Sequence, residues 1–309
     1  MIITVTLNPA IDKTAQVETM VPNGLNRLSN VMLDVGGKGI NVSKAIKELG
    51  GESICTGFVA GSNGEWIESE LDRMGLKYSF VHVDGNTRMN LKVLDKEMNL
   101  TELNETGQEI NSEDLSKFKE KLMDMVNPGD MVVLSGSVPK GVPTTIYRDL
   151  IVLLKEKGAK VILDADGDLF TYGVEAGPDL IKPNKYELCK YFGLSEDVNE
   201  IELIDNARKL LYKGIETIVI SLGSKGAIFI TSDEVAQVPG LDIIPHSAVG
   251  AGDSMVGALA YGISQNKELI PLIKLSVATS AGAVMTKGTK PPHISMVEML
   301  MKEVEINFR

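Results

Sequence analysis

Apolar residues recur along this chain in two rhythms. Short unbroken runs occur at Ile2 to Leu7, Ile54 to Val59, Met131 to Ser135, Lys160 to Leu163, Leu180 to Lys182, Thr217 to Ser221 and Ala227 to Thr231. Runs of this length suit strands buried on both faces, as parallel strands are. Between them apolar side chains return every three or four positions. That spacing predicts helices from Ile40 to Leu49, closed by Gly50-Gly51, and over 65–74, 113–125, 144–156, 184–192 and 201–212. The last third reads as helices alone, one starting near Asp253 and two over 269–285 and 295–304. Buried strands alternating with amphipathic helices predict an α/β fold, a doubly wound, mostly parallel sheet flanked by helices.

Two stretches, about 10–35 and 78–110, break that rhythm with strand-like pieces and no helix between them. The pieces are expected near 14–20, 25–34 and 87–94. Period two puts Arg88, Asn90 and Lys92 on one face of the last piece and Met89, Leu91 and Val93 on the other. The economical expectation is one small sheet, built from both stretches, over the edge of the main sheet that carries the strand C-termini. No repeat or low-complexity linker divides the chain, so residues 1–309 are expected to form a single domain with that sheet as its lid.

Composition narrows the function. With 309 residues and 43% hydrophobic content there is ample material for a core. A formal charge of -11 argues against a nucleic-acid surface, so an anionic substrate has to be held by a few local cations. The two cysteines, Cys55 and Cys189, have neither metal-ligand spacing nor a disulfide pattern. No apolar run approaches membrane-spanning length, and the chain opens as a strand rather than a leader. A cytoplasmic protein that meets neither nucleic acid nor membrane is expected.

Candidate chemistry concentrates between Pro245 and Gly262. Gly250, Ala251 and Gly252 precede Asp253, and then an apolar run follows at helical spacing. The first N–H groups of a helix lack internal partners and attract anions. A carboxylate beside a bound phosphate would be repelled unless it took a proton from an attacking hydroxyl. Taken alone, Asp253 reads first as a helix cap, and the base reading rests on what else the chain carries. At an ordinary pKa of about 3.9 it would be ionised at neutral pH without special tuning. There is no Gly-x-x-x-x-Gly-Lys-Ser/Thr loop, and the third Rossmann glycine is missing. His82, His246 and His293 stand apart from one another.

Other polar groups follow predicted strand ends. They are Asp12, Gly36-Gly37-Lys38-Gly39-Ile40-Asn41, Ser135-Gly136-Ser137, Lys182-Pro183-Asn184-Lys185-Tyr186-Glu187 and Ser221-Leu222-Gly223-Ser224-Lys225-Gly226. With Gly250-Ala251-Gly252-Asp253 far behind the Gly-Gly motif, this order resembles the PfkB carbohydrate kinase family, of ribokinase-like fold, from Met1 to about Lys290.

The resemblance implies roles for each group. Asp253 would be the general base, and the Gly250, Ala251 and Gly252 amides would hold charge on the transferred phosphoryl group. Lys182, Asn184, Glu187, Ser221, Gly223, Ser224, Gly226 and Gly252 would bind ATP, with Mg2+ placed indirectly by Glu187 through water or phosphate. Asp12, Gly37 and Asn41 would bind sugar hydroxyls. Arg27, Lys38 and Arg88, with Asn90 and Ser137, would favour a phosphorylated sugar, since guanidinium groups clamp phosphate. The implied reaction is phosphorylation of fructose 1-phosphate, with tagatose 6-phosphate as the same-chemistry alternative and a silent sugar-phosphate sensor as a more distant one. A homodimer paired through the lid is also implied.

Overall fold

The computed structural model describes residues 1–97 and 99–309. In chain order the strands are β1 (Ile2–Thr6), β2 (Ala10–Gln16), β3 (Ser29–Gly36), β4 (Ile54–Ala60), β5 (Lys77–Tyr78), β6 (Val81–Val83), β7 (Met89–Leu94), β8 (Leu100–Asn104), β9 (Met131–Ser135), β10 (Lys160–Asp164), β11 (Leu180–Ile181), β12 (Thr217–Ser221), β13 (Ala227–Ile230), β14 (Val235–Val238) and β15 (Asn307–Phe308). The helices are α1 (Lys38–Glu48), α2 (Gly61–Met74), α3 (Ser112–Met125), α4 (Ile146–Glu156), α5 (Gly167–Glu175), α6 (Lys185–Phe192), α7 (Glu200–Arg208), α8 (Ala251–Ser264), α9 (Leu269–Val284) and α10 (Ile294–Leu300).

The main sheet runs β15-β14-β13-β12-β11-β10-β9-β1-β4-β5, with β6 also on β4. It is parallel from β12 through β4 and antiparallel from β12 out to β15. Its strands read as unbroken apolar runs because both faces are covered. In β9, Val132 and Leu134 enter one core with Phe118 of α3 and Leu150 of α4. Met131 and Val133 point the opposite way, to Val42 of α1 and Val256 of α8. This is the doubly wound α/β core that the alternation predicts.

A four-stranded sheet, ordered β3-β2-β7-β8, combines strands from the two interrupting stretches. Its central pair, β2 and β7, is parallel and sets Asp12 opposite Asn90, while β3 places Asp34 on the other flank of Asp12. The strand positions differ from the expectation near 14–20 and 25–34. The first strand starts directly after the Asn8-Pro9 break, and the intervening turn is made by Val21-Pro22-Asn23-Gly24. There Asn23 adopts φ 62° and the Asn26 side chain bonds both Val21 N and Val21 O. A turn with such backbone needs ends the first strand at Gln16 and delays the second to Ser29. Helix α5 was not anticipated, since Gly167, Gly173 and two aromatic residues weaken its helical signal.

Candidate active site

Helix α8 begins at Gly250, which adopts φ 81° and so turns the chain into the helix without the Cβ penalty of a left-handed residue. Ser254 N closes the first helical bond to Gly250 O, and Ala251 N reaches Ala248 O at 3.4 Å. The first-turn N–H groups of Gly252 and Asp253 have no such partner and open toward the cleft by the ordinary geometry of a helix start.

Among the described residues the Asp253 side chain bonds Asn41 and no backbone group of its own helix. It is buried, and its Oδ2 accepts from Asn41 Nδ2 at 2.8 Å. The carboxylate is held by a residue 212 positions away and not by its own helix. Burial pushes its pKa up to about 6, Asp164 adds to the rise, and the Asn41 bond with Lys38 and Lys182 opposes it. The expectation of an ordinary carboxylate pKa is therefore corrected, because the desolvation was invisible in the sequence.

Asp164 ends β10 and is 3% exposed, between two ammonium groups: Lys182 Nζ lies 3.2 Å from Oδ1 and Lys38 Nζ 3.6 Å from Oδ2. Burial works against its ionisation, but Lys182 and Lys38 outweigh burial and hold the carboxyl below its usual range. Asp164 in turn raises the Lys38 pKa above its ordinary value. Lys182 leans over the start of α8, since a Cβ on Gly252 would sit 3.3 Å from its Nζ. Two fixed cations thus stand beside the helix terminus and the Asp253 carboxylate. Lys38 lies at the first turn of α1 and not on the small sheet, while Ser137 is exposed just beyond the Gly136 turn that packs on the Lys38 stem.

Across the cleft, Asp12 accepts from Asn90 Nδ2 at 3.0 Å and pairs with Lys92 Nζ at 3.3 Å. It can come this close to β3 because residue 36 is glycine; a Cβ there would fall 2.6 Å from Asp12 Cγ. Arg88 spends its terminal nitrogens on Asn8 O and Glu105 O, at 3.0 and 3.2 Å. Its Nε and the Asn90 Oδ1 are buried without protein partners. Arg27 is exposed in the loop between β2 and β3 and makes no hydrogen bond or ion pair among the described residues. The structure does not bring Arg27 to the Asp253 cluster by any contact of its own chain.

On the far side, Asn184 and Glu187 form a reciprocal capping box at the start of α6: Asn184 Oδ1 accepts from Glu187 N at 2.8 Å, and Glu187 Oε2 from Asn184 N at 2.9 Å. Burial raises the Glu187 pKa, and its Oε1 remains uncommitted. Ser221 is tied to this corner by its N–H on Pro183 O. Asn184, Tyr186, Ser221, Leu222, Gly223 and Lys225 line a cleft of about 510 Å³. Gly223 and Ser224 are exposed, and Gly226 is half-buried.

Sequence reasoning missed Asp164, Lys44 and the pairing of Lys92 with Asp12. The strand-end position of Asp164 was the available signal, because open α/β sheets bind ligands there.

The pfkB family carbohydrate kinase pattern matches residues 5–295. The chain is 36% identical over 310 positions to a 1-phosphofructokinase of Bacillus subtilis, covering 99% of each. It is 31% identical to a tagatose-6-phosphate kinase of Staphylococcus epidermidis, again over 99% of both. Its fold matches phosphofructokinase-2 from Escherichia coli in complex with fructose-6-phosphate, with TM-score 0.91, 26% identity and 98% of both chains covered.

Proposed function

The chain belongs to the pfkB family of carbohydrate kinases, and on that premise we propose that it transfers the γ-phosphoryl group of ATP to the free CH2OH of fructose 1-phosphate, giving fructose 1,6-bisphosphate and ADP. The observation that carries this is the buried Asp253 carboxylate beside an anion-attracting helix start and two fixed lysines. Asp253 takes the hydroxyl proton as the new O–P bond forms. The bond between the γ-phosphorus and its bridging oxygen breaks, and ADP leaves. The amides of Gly250, Ala251 and Gly252, with Lys182 and Lys38, stabilise charge on the group in flight. Asp12, Gly37, Asn41 and Asn90 meet sugar hydroxyls. Arg88 and Ser137, with Arg27 from its loop, meet the phosphate already on the sugar.

Ser221, Gly223, Ser224 and Gly226 take the nucleotide phosphates. Among the described residues no three acidic, histidine or cysteine side chains converge as a metal cage. The donor set instead fits Mg2+ held by phosphates and water, with the free Glu187 oxygen reached through water. Bound there, the ion would supply neutralisation of the phosphate charge during transfer.

The same reading makes the protein a homodimer through the small sheet. Val31, Met32 and Leu33 of β3 and Leu100 and Leu103 of β8 are exposed, more apolar surface than a free sheet ordinarily shows. Both cysteines are buried and free, and among the described residues no helix is long and apolar enough to cross a membrane; a cytoplasmic enzyme is part of the same reading. The likeness to a tagatose-6-phosphate kinase favours that sugar phosphate as the second substrate. ADP release measured with fructose 1-phosphate, fructose 6-phosphate, tagatose 6-phosphate and fructose tests the reading. The highest kcat/KM belongs to fructose 1-phosphate; a preference for unphosphorylated fructose would contradict it.

A further inference from the structure

Lys44 is 7% exposed on α1 and touches none of the groups assigned to either substrate except Asn41. An ammonium has three protons to give and accepts none. All three are spent, on Asp34 Oδ1 at 3.1 Å, on the Val35 carbonyl, and on Asn41 Oδ1 at 3.3 Å. Since Lys44 can only donate, the Asn41 atom facing it has to be the oxygen. The amide nitrogen is then turned to Asp253, where an ionised carboxylate can only accept.

The line of donation therefore has one direction, from Lys44 to Asn41 to Asp253. Its far end is anchored in the small sheet. Asp34 is the cross-strand neighbour of Asp12, and its Oδ2 accepts from Thr289 Oγ1 at 2.9 Å. Thr289 packs on the Gly250 turn, where a Cβ would fall 3.3 Å from its Cα.

We infer that Lys44, anchored by Asp34, is a positioning residue that fixes the Asn41 amide so that it donates to Asp253 Oδ2 and leaves Oδ1 as the oxygen that receives the substrate proton. The inference deepens the assignment of Asp253 as base and rests on it. Other charged groups facing the base are Asp164 from β10, Lys38 from α1 and Lys182 after β11; the Cys55 thiol of β4 also faces Lys44. None of these can set the Asn41 orientation, because among the described residues Lys44 alone donates to its oxygen.

The test is a 13C titration of the aspartate carboxyls in substrate-free protein, with Asp253 assigned by difference from Asp253→Asn, alongside kcat against pH. In Lys44→Met the amide is no longer pinned, so its donation to the carboxylate weakens. The Asp253 pKa rises by about half a unit or more and kcat falls about tenfold or more, with KM for ATP unchanged. Asp34→Ala, at a side chain that is 32% exposed, loosens the anchor without opening the core and gives a smaller shift in the same direction. A folded Lys44→Met with the wild-type Asp253 titration overturns the inference; should that variant not fold, an Asp34→Ala titration identical to wild type does so. The titration needs no turnover, so a wild-type protein inactive on every sugar phosphate would refute the proposed function separately.

Discussion

Asp253 shows how far a side chain departs from its solution chemistry once the fold encloses it. With its pKa near 6, kcat/KM for the sugar phosphate should fall tenfold per pH unit below about 6 and level off above it, as a pH-rate profile of the free enzyme reads. The same shift has a stability consequence. The folded value lies above the ordinary 3.8, so the stability from this group is complete below 3.8 and is lost as pH rises through about 6. Asp253→Asn should therefore resist urea better than wild type at pH 7.5, by at most about 3 kcal/mol. Asp164 behaves oppositely. Replacing it by Asn strands two lysines beside one another, and unfolding should cost about 3 kcal/mol less. The sequence made Asp253 legible because glycines and an apolar helix frame it. It hid Asp164 because no local pattern marks a carboxylate whose two partners lie 126 and 18 residues away in the chain.

Elements account for how these groups are held. The Asn184 and Glu187 box fixes the start of α6 beside the cleft that Ser221 and Gly223 also line. Asn184→Ala should lower stability by about 1 kcal/mol and raise KM for ATP, measured by urea melts and initial rates. Gly36→Ala would press a methyl group onto the Asp12 carboxylate, so KM for the sugar phosphate should rise at least severalfold with KM for ATP unmoved. Helices with one strong apolar face, such as α3 and α4, start within two residues of the expected positions. The strands of the small sheet were less legible, since their limits are set by the Asn26-clamped turn and by pairing between β2 and β7, whose partners such as Asp12 and Asn90 lie 78 residues apart.

At the scale of the whole molecule, the unbroken runs of β1, β9, β10 and β12 announce a sheet covered on both sides, and the two cores are its physical cause. The site lies where the C-terminal ends of those strands meet the small sheet and the start of α8. Exposed apolar residues on β3 and β8 lead to a prediction on assembly. Met32→Lys with Leu33→Glu should shift sedimentation from dimer to monomer, and a dimer unaffected by both changes would place the interface elsewhere. The proposed transfer depends on one carboxylate, that of Asp253. Its most direct test is turnover of fructose 1-phosphate by Asp253→Asn at saturating ATP, with the variant's fold verified by circular dichroism. A loss on the order of 10² to 10⁴ in kcat is the predicted result, and a variant within tenfold of wild type would contradict it.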